Sequence, residues 1–242
     1  MMRRAFFLMI SGVAGTLSAQ GAPSVESARG ELAPIVATVR EALIAVTRAD
    51  RELLPSEGAA TLRPADDEVL ERRAIARAKI AAALDSLLSA GAPGRAAIRG
   101  LAKDWPAADQ VRRAEVRAAF RARDAADALR VVGGLAVAAP RDTQLITWRA
   151  DALDLLGRKP EALRARQARY ELAPDDEGAW RALRAAHEAA NSLPQLRLSL
   201  GRLRLLFPYS RPVREHEIEV LHRLGRGAEA ARVAADTLWG WP

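Results

Sequence analysis

Two related stretches set the architecture of this chain, ALDLLGRKPEALRARQARYELAP at 152–174 and VLHRLGRGAEAARVAADTLWGWP at 220–242. Both carry Leu-Gly-Arg, then Glu-Ala five residues after the leucine, then a closing proline. Prolines recur at the even spacing of 140, 174, 208 and 242, so the two stretches lie two periods apart. The sequence therefore contains an internal repeat of about 34 residues, which is a period typical of stacked helical units.

The positions of proline, glycine and asparagine predict the structure of one unit. A proline ends a helix because it lacks the N–H and clashes with the preceding turn. Gly157, Asn191 and Gly225 share one register and stand where a chain leaving a helix needs a left-handed residue. One period is then helix, tight turn, helix, turn. Such a hairpin cannot bury its apolar stripe alone, so the units are expected to stack into an all-α solenoid.

Four units, 109–142, 143–176, 177–210 and 211–242, resemble tetratricopeptide repeats. The resemblance covers a little over half of the chain. It rests on Trp180 and Leu183 in the third unit, on the turn glycines, on the four prolines, and on a second-helix alanine at Ala128, Ala162 and Ala230. It implies a solenoid of antiparallel helix hairpins that acts as a protein-interaction module.

The third unit departs from the family pattern. Arg184 replaces a small residue and Leu196 replaces the second-helix alanine, so the two helices of this unit are expected to lie further apart. In the first unit, Arg123 replaces the turn glycine. The alternation of leucine with polar residues at 196–200 is typical of a strand. The register of the repeat instead predicts a helix there.

Residues 22–106 are predicted to form a less regular helical region. One helix is expected to start at Pro34, with residues 24–54 as an amino-terminal cap and 55–64 as a linker. A short third helix is expected near 95–101, and residues 68–106 are interpreted as a possible degenerate repeat. The second helix is expected to bury the stripe Leu70, Arg77, Ile80, Leu84, Leu87 and Leu88.

The amino terminus has the three parts of a bacterial-type secretory signal peptide. Arg3 and Arg4 precede an apolar run at 5–17, and small residues follow it. Thirteen residues reach only about 20 Å, which is short of the ~30 Å hydrocarbon core. We therefore expect this segment, residues 1–21, to be cleaved off, either after Ala19 or after Gly21. The mature protein would be periplasmic or extracellular, with no membrane span.

Composition excludes several classes of function. Half of the 242 residues are hydrophobic and 28% are charged, which is typical of a folded domain rather than a disordered chain. With no cysteine there is no disulfide, thiolate nucleophile or Cys-ligated metal. No phosphate-binding loop, nucleophile elbow or zinc-helix motif is present in the sequence. No enzymatic activity, cofactor or metal is expected.

Two polar features have structural explanations. His187 falls at an apolar position of a first helix, so a packed histidine is favoured over a metal ligand. Asp175, Asp176 and Glu177 begin a helix, where negative charge offsets the helix dipole. Helix capping is therefore favoured over paired-carboxylate catalysis.

The resemblance also implies a binding groove lined by the first helices. It would run from basic to acidic and suit an extended peptide or a helix of complementary charge. Solvated surface charge is the alternative. The implied partner-binding residues are Arg113, Arg117, Phe120, Arg121, Asp151, Asp154, Arg181, Glu188, Glu215, Glu219 and His222, together with Gln144 and Thr147.

Further hypotheses come from the carboxyl-terminal half. Seven arginines against Glu188 alone at 181–214 could bind an anionic polymer or lipid head groups, although a solvated helix face explains them too and no nucleic acid is expected. An enzyme on this scaffold is the third alternative, and Glu215, Glu219 and His222 share a helix face that could hold a metal. The final unit is expected to lack a polar cap. Val233, Leu238, Trp239 and Trp241 are therefore expected to be partly exposed and to promote self-association or docking to a partner.

Overall fold

The computed structural model describes residues 25–53 and 64–239, with side chains at 30–53 and 67–236. Three predictions lie outside these residues: the signal peptide at 1–21, the linker at 55–63, and the surroundings of Leu238, Trp239 and Trp241.

The described residues form eleven α-helices and no strand. Consecutive helices pack against one another along the chain, which confirms the predicted all-α solenoid. The helices are α1 (Val25–Glu52), α2 (Pro64–Ser89), α3 (Gly91–Asp104), α4 (Asp109–Arg121), α5 (Ala125–Ala138), α6 (Thr143–Leu155), α7 (Lys159–Leu172), α8 (Glu177–Ala189), α9 (Leu193–Leu206), α10 (Arg211–Arg223) and α11 (Gly227–Trp239).

From α4 onward the helices keep the register of the sequence repeat. The first helices of the hairpins, α4, α6, α8 and α10, start exactly one period apart and each has 13 residues. The second helices α5, α7, α9 and α11 start at the same even spacing. Pro140, Pro174 and Pro208 each stand two residues beyond a helix end. The periodic sequence is therefore realised as a periodic backbone.

One backbone geometry closes every hairpin of this array. The second residue after the first helix has a positive φ in each unit: 56° at Arg123, 73° at Gly157, 49° at Asn191 and 72° at Gly225. The next N–H reaches back to a carbonyl in the helix, as from Arg158 to Leu153 at 2.8 Å. This left-handed ending satisfies carbonyls that the helix leaves unpaired. Arg123 adopts it although it carries a side chain.

The residues that alternate at 196–200 lie in α9, as the register predicts. Leu196 and Leu200 are fully buried, whereas Leu198 is exposed. The buried pair contacts Trp180 and Leu183 of α8 in one apolar cluster. Even so, α8 and α9 pack less closely than the helices of the other three hairpins, as the larger side chains at positions 184 and 196 lead one to expect.

The prediction that a helix starts at Pro34 is wrong. Helix α1 begins at Val25 and runs through Pro34. Proline cannot donate to the carbonyl four residues earlier, which belongs to Gly30. Gly30 is exposed, so water can hydrogen-bond the carbonyl that Pro34 leaves without a donor.

The second helix also differs from its predicted stripe. Ile80, Leu84, Leu87 and Leu88 are buried, but Leu70 is 37% exposed and Arg77 is exposed. Val69 is buried in place of Leu70, because the buried face shifts by one residue near the start of α2. The predicted stripe is therefore correct only in its second half.

Helix α3 begins earlier than predicted because of its glycines. The chain turns at Gly91, where φ is 66°, and α3 folds directly back on α2. A Cβ at Gly94 would overlap the carbonyl oxygen of Leu87, so the close approach of α3 requires glycine. Helix α3 has 14 residues, as α5, α7 and α9 do, and it starts one period before α5. Helix α2, with 26 residues, is longer than the first helices of the array.

At the other end, Val233 is buried rather than partly exposed. It packs with Leu221, Ala230 and Ile218, so α10 and α11 cover it within their own hairpin. In the two described ranges, no helix has the length and apolarity needed to cross a bilayer.

Candidate functional site

The basic residues expected at one end of the groove are held by acidic partners. Arg113 lies 2.6 Å from both Asp109 in its own helix and Asp142 at the start of α6. Arg117 reaches Asp85 of α2 at 3.0 Å. These pairs join successive hairpins and offset much of the positive charge expected at this end.

The remaining residues of that set in the first two units divide between packing and solvent. Phe120 is half-buried against Val116 and Val131, and Arg121 is exposed. Gln144 is exposed, and the hydroxyl of Thr147 donates to the Thr143 carbonyl within α6.

In α6, Asp151 and Asp154 share a cation from the second helix of their hairpin. Arg166 of α7 lies 3.7 Å from Asp151 and hydrogen-bonds Asp154, which also pairs with Lys159 at 3.2 Å. Burial raises the pKa of Asp151. Burial acts in the same direction on Asp154, but Arg166 and Lys159 outweigh it and lower the pKa of Asp154. The two carboxylates therefore differ in their protonation behaviour.

The acidic residues of the last two units are likewise paired. Glu188 lies 2.6 Å from Arg223, while Arg181 and Glu215 each pair with a residue one turn away in their own helix. His222 is exposed. Within the described residues no group of three or more acidic or histidine side chains could hold a metal ion.

A buried aromatic cluster joins the second, third and fourth units. The imidazole of His216 stacks on Trp180, with ring centroids 4.1 Å apart and planes 13° from parallel. The Tyr170 hydroxyl lies 2.8 Å from Nδ1 of His216. The Trp180 indole N–H donates to Glu219 at 3.1 Å, and Arg184 hydrogen-bonds the same carboxylate. This cluster explains how an arginine is accommodated at position 184, in contact with Glu219 and over the ring of Trp180.

Burial lowers the pKa of the two buried histidines, His187 and His216. The acidic groups that face the His216 ring, Glu177 and Glu219 among them, oppose the lowering of its pKa only in part. The Nδ1 of His187 lies 2.9 Å from the Ser192 hydroxyl. His187 is thus a packed histidine, as predicted. Asp176 caps α8 by accepting from the N–H groups of Gly178 and Ala179, also as predicted.

An apolar cleft opens between α7 and α8, next to the charged side chains of Asp154, Lys159 and Arg166. Its volume is about 720 Å³. Its walls combine Leu163 and Pro160 of α7 with a row of alanines on α8, and its polar border includes Asp154, Lys159, Arg166 and Gln195. We call this the α7–α8 cleft. It can hold an apolar side chain beside groups that hydrogen-bond a peptide backbone.

The third unit carries small side chains at the edge of the cleft where its neighbours carry larger ones. Ala189 and Ala190 occupy the register of Leu155 and Leu156 in the second unit. The backbone is the same, since φ and ψ are −91° and 2° at Ala190 and −82° and 1° at Leu156. The fourth unit has Arg223 and Leu224 at these positions. The third unit thus differs from its neighbours at these positions in side-chain size and not in backbone.

Sequence reasoning placed Asp154 in the groove but did not find the cleft. The signal was the alanine row Ala182, Ala185, Ala186, Ala189 and Ala190, compared in register with the adjacent units. Comparison with protein-family models finds no match to this chain, and comparison with curated proteins finds none either. The fold and the site geometry therefore carry the functional argument.

Proposed function

We propose that this protein is an exported, non-enzymatic interaction scaffold whose α7–α8 cleft receives an apolar side chain of a peptide or partner protein. The observation that carries this proposal is the cleft of about 720 Å³ between α7 and α8, with its wall of alanines on α8. Exposed apolar concavities of this kind typically bind ligands or partners. The resemblance to tetratricopeptide repeats supports the same class of function.

The charged border of the cleft favours a peptide over a small apolar molecule. Asp154, Lys159 and Arg166 form a linked group beside the apolar wall, and Gln195 is exposed next to it. A peptide offers both an apolar anchor and amide groups for this border. A ligand without polar groups would leave these side chains without new partners.

The anionic-polymer alternative has less support from the pairing of arginines. Within 181–214, Arg181, Arg184, Arg197, Arg204 and Arg211 each pair with a carboxylate. Paired arginines would have to exchange a carboxylate for a phosphate on binding. A lipid surface has separate support, from exposed apolar residues in the same stretch, which are described below.

A displayed library of random peptides, selected on the whole protein, tests the proposal. We expect selected peptides to share a bulky apolar residue and to lose at least about tenfold in affinity for Ala189→Leu/Ala190→Leu, since burying one such side chain contributes about 1.5–3 kcal/mol. This variant copies the side chains of the second unit and should fold normally. Ala168→Leu, on the exposed face of α7, is the matched control. Equal affinity for both variants, or no selected peptide, would overturn the proposal.

A further inference from the structure

The connection between α9 and α10 exposes a run of apolar side chains. Leu205, Leu206 and Tyr209 are 78%, 72% and 77% exposed, and Phe207 between them is 44% exposed. Single exposed apolar residues are ordinary, but a consecutive run of them adds nothing to folding and promotes association. This run therefore has no explanation within the array itself.

The backbone of the connection does not require these residues. The equivalent connection after α5 reads Val-Ala-Ala-Pro-Arg at 137–141, and the one after α7 reads Glu-Leu-Ala-Pro-Asp at 171–175. The third reads Leu-Leu-Phe-Pro-Tyr at 205–209. All three follow helix ends that lie one period apart, at Ala138, Leu172 and Leu206. Small or charged side chains thus suffice for the same turn, and only the third has large apolar residues throughout.

Positive charge borders the apolar run. No acidic residue occurs between 189 and 214, whereas five arginines do. Arg204 pairs with Glu217, and Arg211 with Glu215. Among the described residues, Arg202 has no acidic partner, and Arg214 donates only to the backbone carbonyls of Pro208 and Asp236. Two guanidinium groups beside the run are therefore free of carboxylates.

We propose that residues 202–214 form a docking surface for an anionic lipid bilayer. The three apolar side chains at 205–207 enter the boundary between head groups and acyl chains, Tyr209 lies at that boundary, and Arg202 and Arg214 contact lipid phosphates. Aromatic and aliphatic side chains with adjacent arginines are the combination that binds such interfaces. A short turn inserts shallowly, which agrees with the lack of a spanning helix in the described ranges.

A protein partner is the main alternative, and the observations favour lipid. The exposed residues follow one another through a turn rather than covering the face of a helix. Acidic side chains near this surface are already paired, Glu215 with Arg211 and Glu217 with Arg204, and Asp236 lies 3.9 Å from Arg204. The two arginines without carboxylate partners match phosphate, which is present across the whole surface of an anionic bilayer. The inference is independent of the peptide-binding proposal, since the two surfaces share no residue.

Vesicle binding measured by hydrogen exchange tests the inference locally. The whole chain is mixed with vesicles of phosphatidylglycerol and phosphatidylcholine, or of phosphatidylcholine alone. We expect amides at 202–211 to gain protection only with the anionic vesicles, and less so at high salt because charge attraction is screened. The equivalent segment at 134–143 should not change. The local readout separates this turn from the apolar segment near the amino terminus.

Matched variants complete the test. In co-sedimentation with the anionic vesicles, Leu205→Ser/Leu206→Ser should weaken binding at least about tenfold. Val137→Ser is the control, because Val137 is 85% exposed at the register of Leu205. Unchanged protection at 202–211, or equal binding by both variants, would overturn the inference. A lipid-free dimer that the double serine variant abolishes would assign the surface to a second copy of the chain instead.

Discussion

His216 lies flat against Trp180 across the boundary between the third and fourth units, with 4.1 Å between the ring centroids. Its Nδ1 also contacts the Tyr170 hydroxyl from the second unit. Three units thus meet at one titratable ring. The stability of the array should therefore depend on the protonation of this ring.

We expect the melting temperature to fall as the pH decreases below about 6.5, the ordinary histidine pKa. Burial lowers the pKa of His216 and of His187, so the folded chain binds fewer protons than the unfolded chain. Their contribution is complete above the ordinary pKa and is lost as the pH falls toward the folded-state values. Differential scanning calorimetry across this range measures it.

His216→Gln should reduce this pH dependence, whereas His222→Gln should preserve it because His222 is exposed. A melting temperature that rises between about pH 6.5 and 5 would contradict the burial of neutral histidines.

Arg123 adopts the left-handed conformation that glycine adopts at the same position in the second and fourth units. We expect Arg123→Gly to stabilise the protein by up to about 1 kcal/mol, since a side chain in this region is strained. Arg123 is exposed, so its removal disturbs no packing. Urea unfolding gives the free energy of unfolding.

The reverse change provides the control. Gly157→Arg should destabilise the protein by about 1–2 kcal/mol through the same backbone strain. The space around Gly157 is open, so no steric clash adds to this cost. A loss of stability in Arg123→Gly would show that the left-handed turn is not strained there.

Asp127 joins α5 to α3 through Arg95 and Arg99, and it also pairs with Arg130 in its own helix. Burial opposes its ionisation, but hydrogen bonds from these arginines outweigh burial and lower the pKa of Asp127 to about 2. The lowered pKa corresponds to about 2 kcal/mol of stability, which is present above about pH 4 and is lost as the pH falls toward about 2.

Asp127→Asn should therefore cost about 2 kcal/mol in the free energy of unfolding at neutral pH and little in strong acid. Asp85→Asn removes an exposed pair with Arg117 and should change stability by less than about 1 kcal/mol. Equal effects of the two substitutions would argue against a special role of Asp127 in joining the helices.

Leu196 stands where the family pattern has alanine, but it is fully buried against the Trp180 cluster. We expect Leu196→Ala to cost about 2–5 kcal/mol, the range for removing a buried leucine side chain. Leu198→Ala, on the exposed face of the same helix, should cost much less. Urea unfolding of both variants decides whether local packing or the family pattern governs this position.

The fold could be predicted because its determinants are periodic. Prolines, left-handed turn residues and apolar stripes repeat with one common period, and the helix boundaries follow them. Pro34 was wrongly expected to start a helix because an exposed glycine four residues earlier lets α1 continue. Val233 was wrongly expected to be exposed because its own hairpin covers it.

The candidate site was less accessible to sequence reasoning. Charged residues such as Arg113 and Glu188 were recognisable, but their partners lie in other units and depend on how hairpins stack. The α7–α8 cleft is lined by alanines. Their small size stands out only when residues such as Ala190 and Leu156 are aligned in register. The exposed run at 205–209 required knowledge of which end of α9 remains uncovered.

Photocrosslinking from the border of the cleft tests the central claim most directly. Benzoylphenylalanine replaces Gln195 at the polar border of the cleft, and the same group at Ala168 provides the control on the far face of α7. With a peptide selected on the protein, we predict adducts from position 195 and none from position 168. Adducts from position 168 alone, or from both positions equally, would contradict binding in the α7–α8 cleft.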